Sequence, residues 1–397
     1  MSISHVEKEK KLIKKTKETM ETATWKPVRK RSNSTRSGIR LGMRKGTPSP
    51  SSTPQIQSPV VIESKEAPCV IESHKMDVKI HEPNQKTDEI LQGKSRYADV
   101  QRQFTFCEVV GRGGFSVVHR AIYKKTHEVV ALKIIDKTIV RKDQLETLSR
   151  EIGFVKWCEH KYLLQVYDIL EDDDYIYEVL EFAPGGNLFQ RITKKPLTEQ
   201  QAQWVGYQVA SAVYYLHTQG ICHRDLKPEN ILLMEKDGGF NIRLVDFGLA
   251  KKFTDDILKT PCGTFDYAPP EMLLHAPQYT QLCDIWSFGV TIFVSMCGYY
   301  PFDGNSLAEN IEQMQSGDIN FDDDEWEFIS VECKDFIRRC LVADPTRRMN
   351  IEGVLTHQWL CGASVYSNPY FANLLKELSQ QTMDKVVAPK KITIDRN

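Results

Sequence analysis

His223-Arg224-Asp225-Leu226-Lys227-Pro228-Glu229-Asn230, with Asp246-Phe247-Gly248 sixteen residues after Asn230, governs the interpretation of this chain. The eight-residue stretch packs a carboxylate, an ammonium and a carboxamide into one short loop. Asp225 can orient a hydroxyl proton, and Lys227 supplies a cation for a phosphate. Asn230 and Asp246 add two hard oxygen ligands of the kind that bind Mg2+ beside nucleotide phosphates. Transfer of a phosphoryl group to an alcohol requires these parts, and it relies on positioning and charge neutralisation rather than covalent work.

The stretch resembles the catalytic loop of eukaryotic protein kinases, and the likeness extends from about 104 to 360. Among them the chain is most similar to the calcium/calmodulin-dependent group of serine/threonine kinases. Gly111-Arg112-Gly113-Gly114-Phe115-Ser116-Val117-Val118 lies between two β-type runs and reads as a hairpin loop. Its glycines let the backbone approach a triphosphate closely. Ser116 stands where the third glycine of the motif is usual, a departure tolerated in that group. The resemblance implies ATP as the phosphate donor, with Phe115 capping the phosphates and Val118 and Ala131 roofing the adenine. Leu232 belongs to the same nucleotide set. Leu180, Glu181, Phe182 and Ala183 resemble the linker whose backbone bonds adenine, with Leu180 at the back of the pocket. Lys133, on a strand, would hold the α and β phosphates. Glu151, eighteen residues later on a helix, would hold Lys133 in an ion pair that one swinging helix can break.

Supporting positions follow the same pattern. The resemblance implies that His223 packs under Phe247 with Val155 in the same column. It also implies that Glu271 pairs with Arg348, and that Asp284 holds the backbone of the 223–230 loop. Gly298-Tyr299-Tyr300-Pro301-Phe302 and His357-Gln358-Trp359 are core positions of the family. Ala268-Pro269-Pro270-Glu271 carries Pro where Ala is usual, which stiffens the segment. Arg224 marks a kinase whose activation loop is often ordered by phosphorylation. Thr260 is the expected acceptor, with Arg224 and Lys251 as the cations that would meet its phosphate. Thr264 is expected to partner Asp225 and Lys227. Glu229 favours arginine upstream of the acceptor, while Asn187, where a glutamate is common, weakens that preference.

The chain has 397 residues, too many for one core of usual size, so two lobes with added segments are expected. Residues 1–103 read as a regulatory arm without sustained periodicity, rich in Ser, Thr and Pro. From 104 to 182, short apolar runs broken by glycines predict antiparallel strands, with one helix over 144–158. After the hinge Ala183-Pro184-Gly185-Gly186, the span 183–360 is mainly helical. Thr198 with Gln201 makes a capping box before a helix carrying Val205, Val209, Val213 and Leu216 on one face. Further helices are predicted over 280–297, 305–315, 330–342 and 350–359. Sheet followed by helices makes an α+β, two-lobed protein kinase fold.

Net charge is −1, but residues 1–50 hold fourteen Lys and Arg against four Glu. Such an arm is either a solvated tail or a ligand for nucleic acid, acidic membrane or import receptors; direct nucleic-acid or membrane binding is not expected. Lys14-Lys15 and Lys26-Pro27-Val28-Arg29-Lys30-Arg31, ten residues apart, match a bipartite nuclear import signal. Thr47, Ser49, Thr53 and Ser58 each precede proline and suit an upstream proline-directed kinase. Ten cysteines show no CxxC pair, as in reduced cytosolic or nuclear proteins. No run of eighteen apolar residues is present, so a soluble protein, cytoplasmic and/or nuclear, is expected.

In the tail, 361–397, Phe371, Leu374, Leu375 and Leu378 form an apolar face, but 366–384 holds only Lys376 as a cation. Calmodulin targets are basic amphipathic helices, so calmodulin is not expected as a partner, and the helix is expected to pack on the large lobe. The expected partners are proteins presenting Ser or Thr. A nucleotide-binding scaffold and a small-molecule phosphotransferase on the same fold are the alternatives. Segment 263–271 and the helices after it, which suit a peptide, oppose the second.

Overall fold

Strand β2 (Ser116–Tyr123) pairs with β3 (Glu128–Asp136) without a register break, because alternate apolar residues of both face one core. The computed structural model describes residues 97–140, 158–236, 238–246, 250–252, 264–274, 279–362 and 368–371, with backbone alone at 97–99 and 251–252. A short helix, α1 (Tyr97–Gln103), leads into β1 (Phe104–Arg112). With β4 (Val166–Glu171) and β5 (Tyr175–Glu181) these strands form one antiparallel sheet in the order β1-β2-β3-β5-β4. Phe104, Ala121, Tyr123, Val130, Leu132, Tyr177 and Val179 fill its core. The acidic turn between β4 and β5 is built by Asp172. Its carboxylate accepts the N–H groups of Asp174 (3.0 Å) and Tyr175 (2.8 Å) and the Tyr177 hydroxyl (2.9 Å).

The link to the second half is held by close backbone approach. Gly185 N–H donates to Leu233 O at 2.9 Å, and Leu233 N–H to Gly186 O at 2.8 Å. A Cβ on Gly185 would lie 2.6 Å from Leu233 O, and Gly186 has φ 73°, so both positions suit glycine. The second half contains α2 (Leu188–Ile192), α3 (Glu199–Thr218), β6 (Ile221–Cys222), β7 (Ile231–Leu233), β8 (Ile242–Leu244) and β9 (Lys251–Lys252). It continues with α4 (Pro270–Leu273), α5 (Leu282–Cys297), α6 (Leu307–Ser316), α7 (Val331–Cys340), α8 (Ile351–Thr356) and α9 (Gln358–Cys361).

The capping box of α3 forms as predicted, with Gln201 N–H reaching Thr198 Oγ1 at 3.3 Å and Thr198 N–H reaching Gln201 Oε1 at 3.0 Å. Val205, Val209, Val213 and Leu216 are buried. Helix α5 is buried on all sides from Cys283 to Cys297, the mark of a central helix. The helix predicted over 350–359 is two helices instead. His357 has ψ 140°, its ring accepts the Trp359 N–H at 3.2 Å, and Nε2 lies 3.1 Å from Asp335. The ring thereby starts a new helix where periodicity alone showed one. Phe371 is buried against Trp204 and Tyr207, with ring centroids 5.0 and 5.1 Å apart. Leu374, Leu375 and Leu378 lie outside the described residues, and so does the helix predicted over 144–158, save its last residue. No helix among the described residues is long and apolar enough to cross a membrane.

Candidate active site

Asp284, in the first turn of α5 and wholly buried, anchors the 223–230 loop. Its carboxylate accepts the N–H groups of His223 (2.9 Å) and Arg224 (2.7 Å), and His217 Nε2 lies 2.8 Å away. Burial by itself would raise this carboxyl; the hydrogen bond and charge of His217, with the loop N–H groups, outweigh it and hold Asp284 below its usual range. Arg224 has φ 68°, a left-handed backbone that costs a residue with a Cβ about 1 kcal/mol or more. Capture of its N–H by Asp284 offsets that cost. The expected backbone support is therefore present.

Four groups converge on Asp225, which is buried. Lys227 Nζ lies 2.6 Å from Oδ2, and Thr264 donates its N–H (3.1 Å) and hydroxyl (2.9 Å) to Oδ1. Asn230 Nδ2 donates to Asp225 Oδ2 at 3.0 Å and to its backbone oxygen at 2.9 Å. Lys227 Nζ also donates to Thr264 Oγ1 at 2.6 Å, the expected triangle. Burial would raise the Asp225 carboxyl, but the Lys227 charge and the hydrogen bonds from Lys227 and Thr264 hold it below the usual range. Asp225 is thus an ionised acceptor. The Asn230 amide spends its N–H groups on Asp225, which leaves its carbonyl oxygen for another ligand.

Asp246 leaves β8 with φ 68° and is exposed, and Val245 N–H donates to Asn230 O at 2.9 Å. That bond ties the segment bearing Asp246 to the Asn230 turn. A carboxylate and an amide oxygen from adjoining segments fit a hard divalent cation. A second cluster, Cys222, Cys283 and Asp284, also has ligand spacing. Burial pushes both thiols up, Cys222 well above the ordinary thiol range, and Asp284 is committed to the loop, so this cluster is structural.

Across the cleft, the Gly111–Val118 hairpin closes through Gly113 N–H to Ser116 O at 2.8 Å, with Gly111 opposite Val118 and Arg112 opposite Val117. Among the described residues, nothing lies within 4 Å of where a Cβ on Gly114 would stand. Phe115 at the tip is exposed. Ala131 lies opposite Leu180 and Lys133 opposite Glu178 on β5, with Lys133 Nζ 3.2 Å from Glu178 Oε2. Glu151, the expected partner of Lys133, is outside the described residues, as are Val155, Phe247 and Thr260. Lys251 is described by its backbone, opposite Cys222. Arg224 Nη1 donates to the Tyr279 hydroxyl at 3.1 Å. The expected Glu271–Arg348 pair forms with two hydrogen bonds of 2.7 and 2.9 Å. The sequence did not single out Arg243, which pairs with Glu181; its only signal is a cation between two buried apolar residues, Ile242 and Leu244.

Comparison with known proteins bears on this geometry. The family model described as "Protein kinase domain" matches residues 104–360. A probable myosin light chain kinase of Dictyostelium discoideum is 39% identical over 280 residues, 68% of this chain and 80% of the relative. Myosin light chain kinase A of the same organism is 36% identical over 264 residues, 66% of this chain and 89% of its own. Calcium/calmodulin-dependent protein kinase type 1 of Caenorhabditis elegans is 36% identical over 278 residues, 70% of this chain and 79% of its own.

Proposed function

The chain belongs to the protein kinase family and is an ATP-dependent kinase of the serine/threonine type, and we propose that Asp225, Lys227, Asn230, Asp246 and Lys133 carry its phosphoryl transfer. The observation that carries this reading is the convergence of Lys227, Asn230 and Thr264 on one ionised, buried carboxylate. Asp225 accepts the hydroxyl hydrogen of the substrate and aims its oxygen at the phosphate. Lys227, beside it, balances charge on the transferred group. Asn230 Oδ1 and the Asp246 carboxylate would hold Mg2+, which when bound neutralises phosphate charge. Lys133 holds the phosphates from above, with Glu151 as its switchable partner. Val118, Ala131 and Leu232 enclose the adenine, and the backbone of Glu181 and Ala183 reads its edge.

Acceptor and regulation follow from the surroundings. Glu229 Oε2 is buried without a hydrogen-bond partner among the described residues, which suits a substrate bringing a cationic side chain near its acceptor. Phosphorylation of Thr260 would order the loop by pairing with Arg224 and Lys251. Support comes from the Cys222–Lys251 register, which sets Lys251 across from the approach to Arg224. Proline-directed phosphorylation at Thr47, Ser49, Thr53 and Ser58 would act through the arm. Calmodulin is not assigned as a partner, since the stretch 366–384 carries Lys376 as its one cation, and the kinase is assigned to an intracellular signalling role in cytoplasm or nucleus.

The test is transfer from ATP to a Ser/Thr peptide array by the purified full chain. Asp225→Asn should lower kcat by about a hundredfold or more while nucleotide affinity holds. Transfer within tenfold of the parent would overturn the assignment. In the same assay Thr260→Ala should lower activity, and full activity there would remove the phosphate clamp.

A further inference from the structure

One guanidinium bridges β8 and the end of β5, while its Nη1 donates to Ile242 O at 3.0 Å. Arg243 sits in β8, and its register partner across the ribbon is Leu232 of β7. Directly opposed residues of an antiparallel pair project to the same face, so Arg243 emerges beside the residue assigned to the adenine floor. Its side chain then crosses to the other lobe. Nε donates to Glu181 Oε2 at 2.7 Å and Nη2 to Glu181 Oε1 at 2.8 Å, a two-pronged pair. Both side chains are largely withdrawn from water, at 22% and 16% exposure, so solvent screens the pair less than an ordinary surface bridge.

Glu181 is the last residue of β5, where the sheet passes into the linker. Its backbone N–H donates to Gln165 O at 2.9 Å. The β8 strand is strapped to the approach to β4 as well, through Leu164 N–H to Leu244 O (3.1 Å) and Leu244 N–H to Tyr162 O (2.8 Å). Three residues beyond Arg243 stands Asp246. A shift of the linker relative to β7 must therefore stretch or break the Arg243–Glu181 pair.

We propose that Arg243 is a positioning residue for ATP: by clamping Glu181 it sets the separation between the linker that reads adenine and the floor at Leu232. This rests on the assignment of the cleft to ATP. The clamp fixes that separation and couples it to the strand that precedes Asp246.

The experiment is steady-state kinetics of the full chain with ATP and peptide varied separately. Arg243→Met should raise KM for ATP about fivefold to tenfold, with a much smaller change in kcat and none in KM for peptide. Arg243→Lys keeps the charge but not the fork and should recover only part of the loss. The exchange Glu181→Arg with Arg243→Glu should recover more than either single variant retains. Should Arg243→Met fold poorly, Glu181→Gln must shift KM for ATP in the same direction. Equal losses of kcat and melting temperature with KM for ATP unchanged would overturn the clamp. Lys133→Met separates the two readings. If it abolishes turnover while Arg243→Met leaves KM unchanged, the clamp alone is wrong; if it leaves turnover at the parent level, the cleft is misassigned and the clamp falls with it.

Discussion

Glu229 shows how a single side chain can be held against its own preference. It lies beside Asp225, half-buried, with one carboxylate oxygen lacking a hydrogen-bond partner among the described residues. Burial raises its pKa, and the charges of Asp225 and Asp266 add to the effect, while Lys227 opposes it. Burial raises Asp266 as well. A carboxyl whose folded value exceeds its unfolded value subtracts stability wherever it is ionised, and the loss is relieved as pH falls through the folded value. Glu229→Gln should therefore raise the melting temperature at pH 7, with the gain shrinking on acidification. Its KM for a peptide carrying arginine near the acceptor should rise, while that for an uncharged peptide holds. A gain that grows on acidification would contradict this account. The type and spacing of these groups were legible in residues 223–230, but the missing partner of Glu229 was not. Nor was the charge of Asp266, which adds to the push on Glu229 from a segment thirty-seven positions away.

At the scale of elements, local rules carried most of the fold. The capping box of α3 needed only Thr198 and Gln201, three residues apart, so sequence sufficed. Thr198→Ala should cost about 1 kcal/mol in urea unfolding, and Thr198→Ser should keep most of the stability. A loss of the same size in the serine variant would mean that the cap is not the cause. The strands of the sheet were equally legible, since alternation has period two and glycines bound the runs. The break at His357 was not, because Asp335 holds its ring and lies on another helix. Short pieces such as α2 and β6 escaped for a different reason: five and two residues show no period.

For the whole molecule, ion pairs between remote segments hold the site in its frame. Arg348 has a fully buried side chain that donates twice to Glu271, and also to the oxygens of Val342 (2.9 Å) and Leu282 (2.9 Å). It binds α4, which follows Thr264, to α5, which carries Asp284. Deleting one member of such a pair strands a buried charge at a cost of about 3–5 kcal/mol. Glu271→Ala should lower the urea midpoint accordingly, whereas replacing both residues with apolar ones of similar volume should cost less. An effect under about 1 kcal/mol would place the pair among surface bridges.

The chain's own order of residues determined which chemical groups are present and what they can do, because an aspartate, lysine and asparagine between positions 225 and 230 must share one loop. It also determined the strands and the longer helices, whose periodicity lies within a few neighbouring residues. Tertiary structure alone decided how Asp284 reaches His223 across sixty-one positions, and how Arg243 reaches Glu181 across sixty-two. Contacts that distant form only when the intervening chain has packed, so their geometry belongs to the assembled core rather than to any one segment.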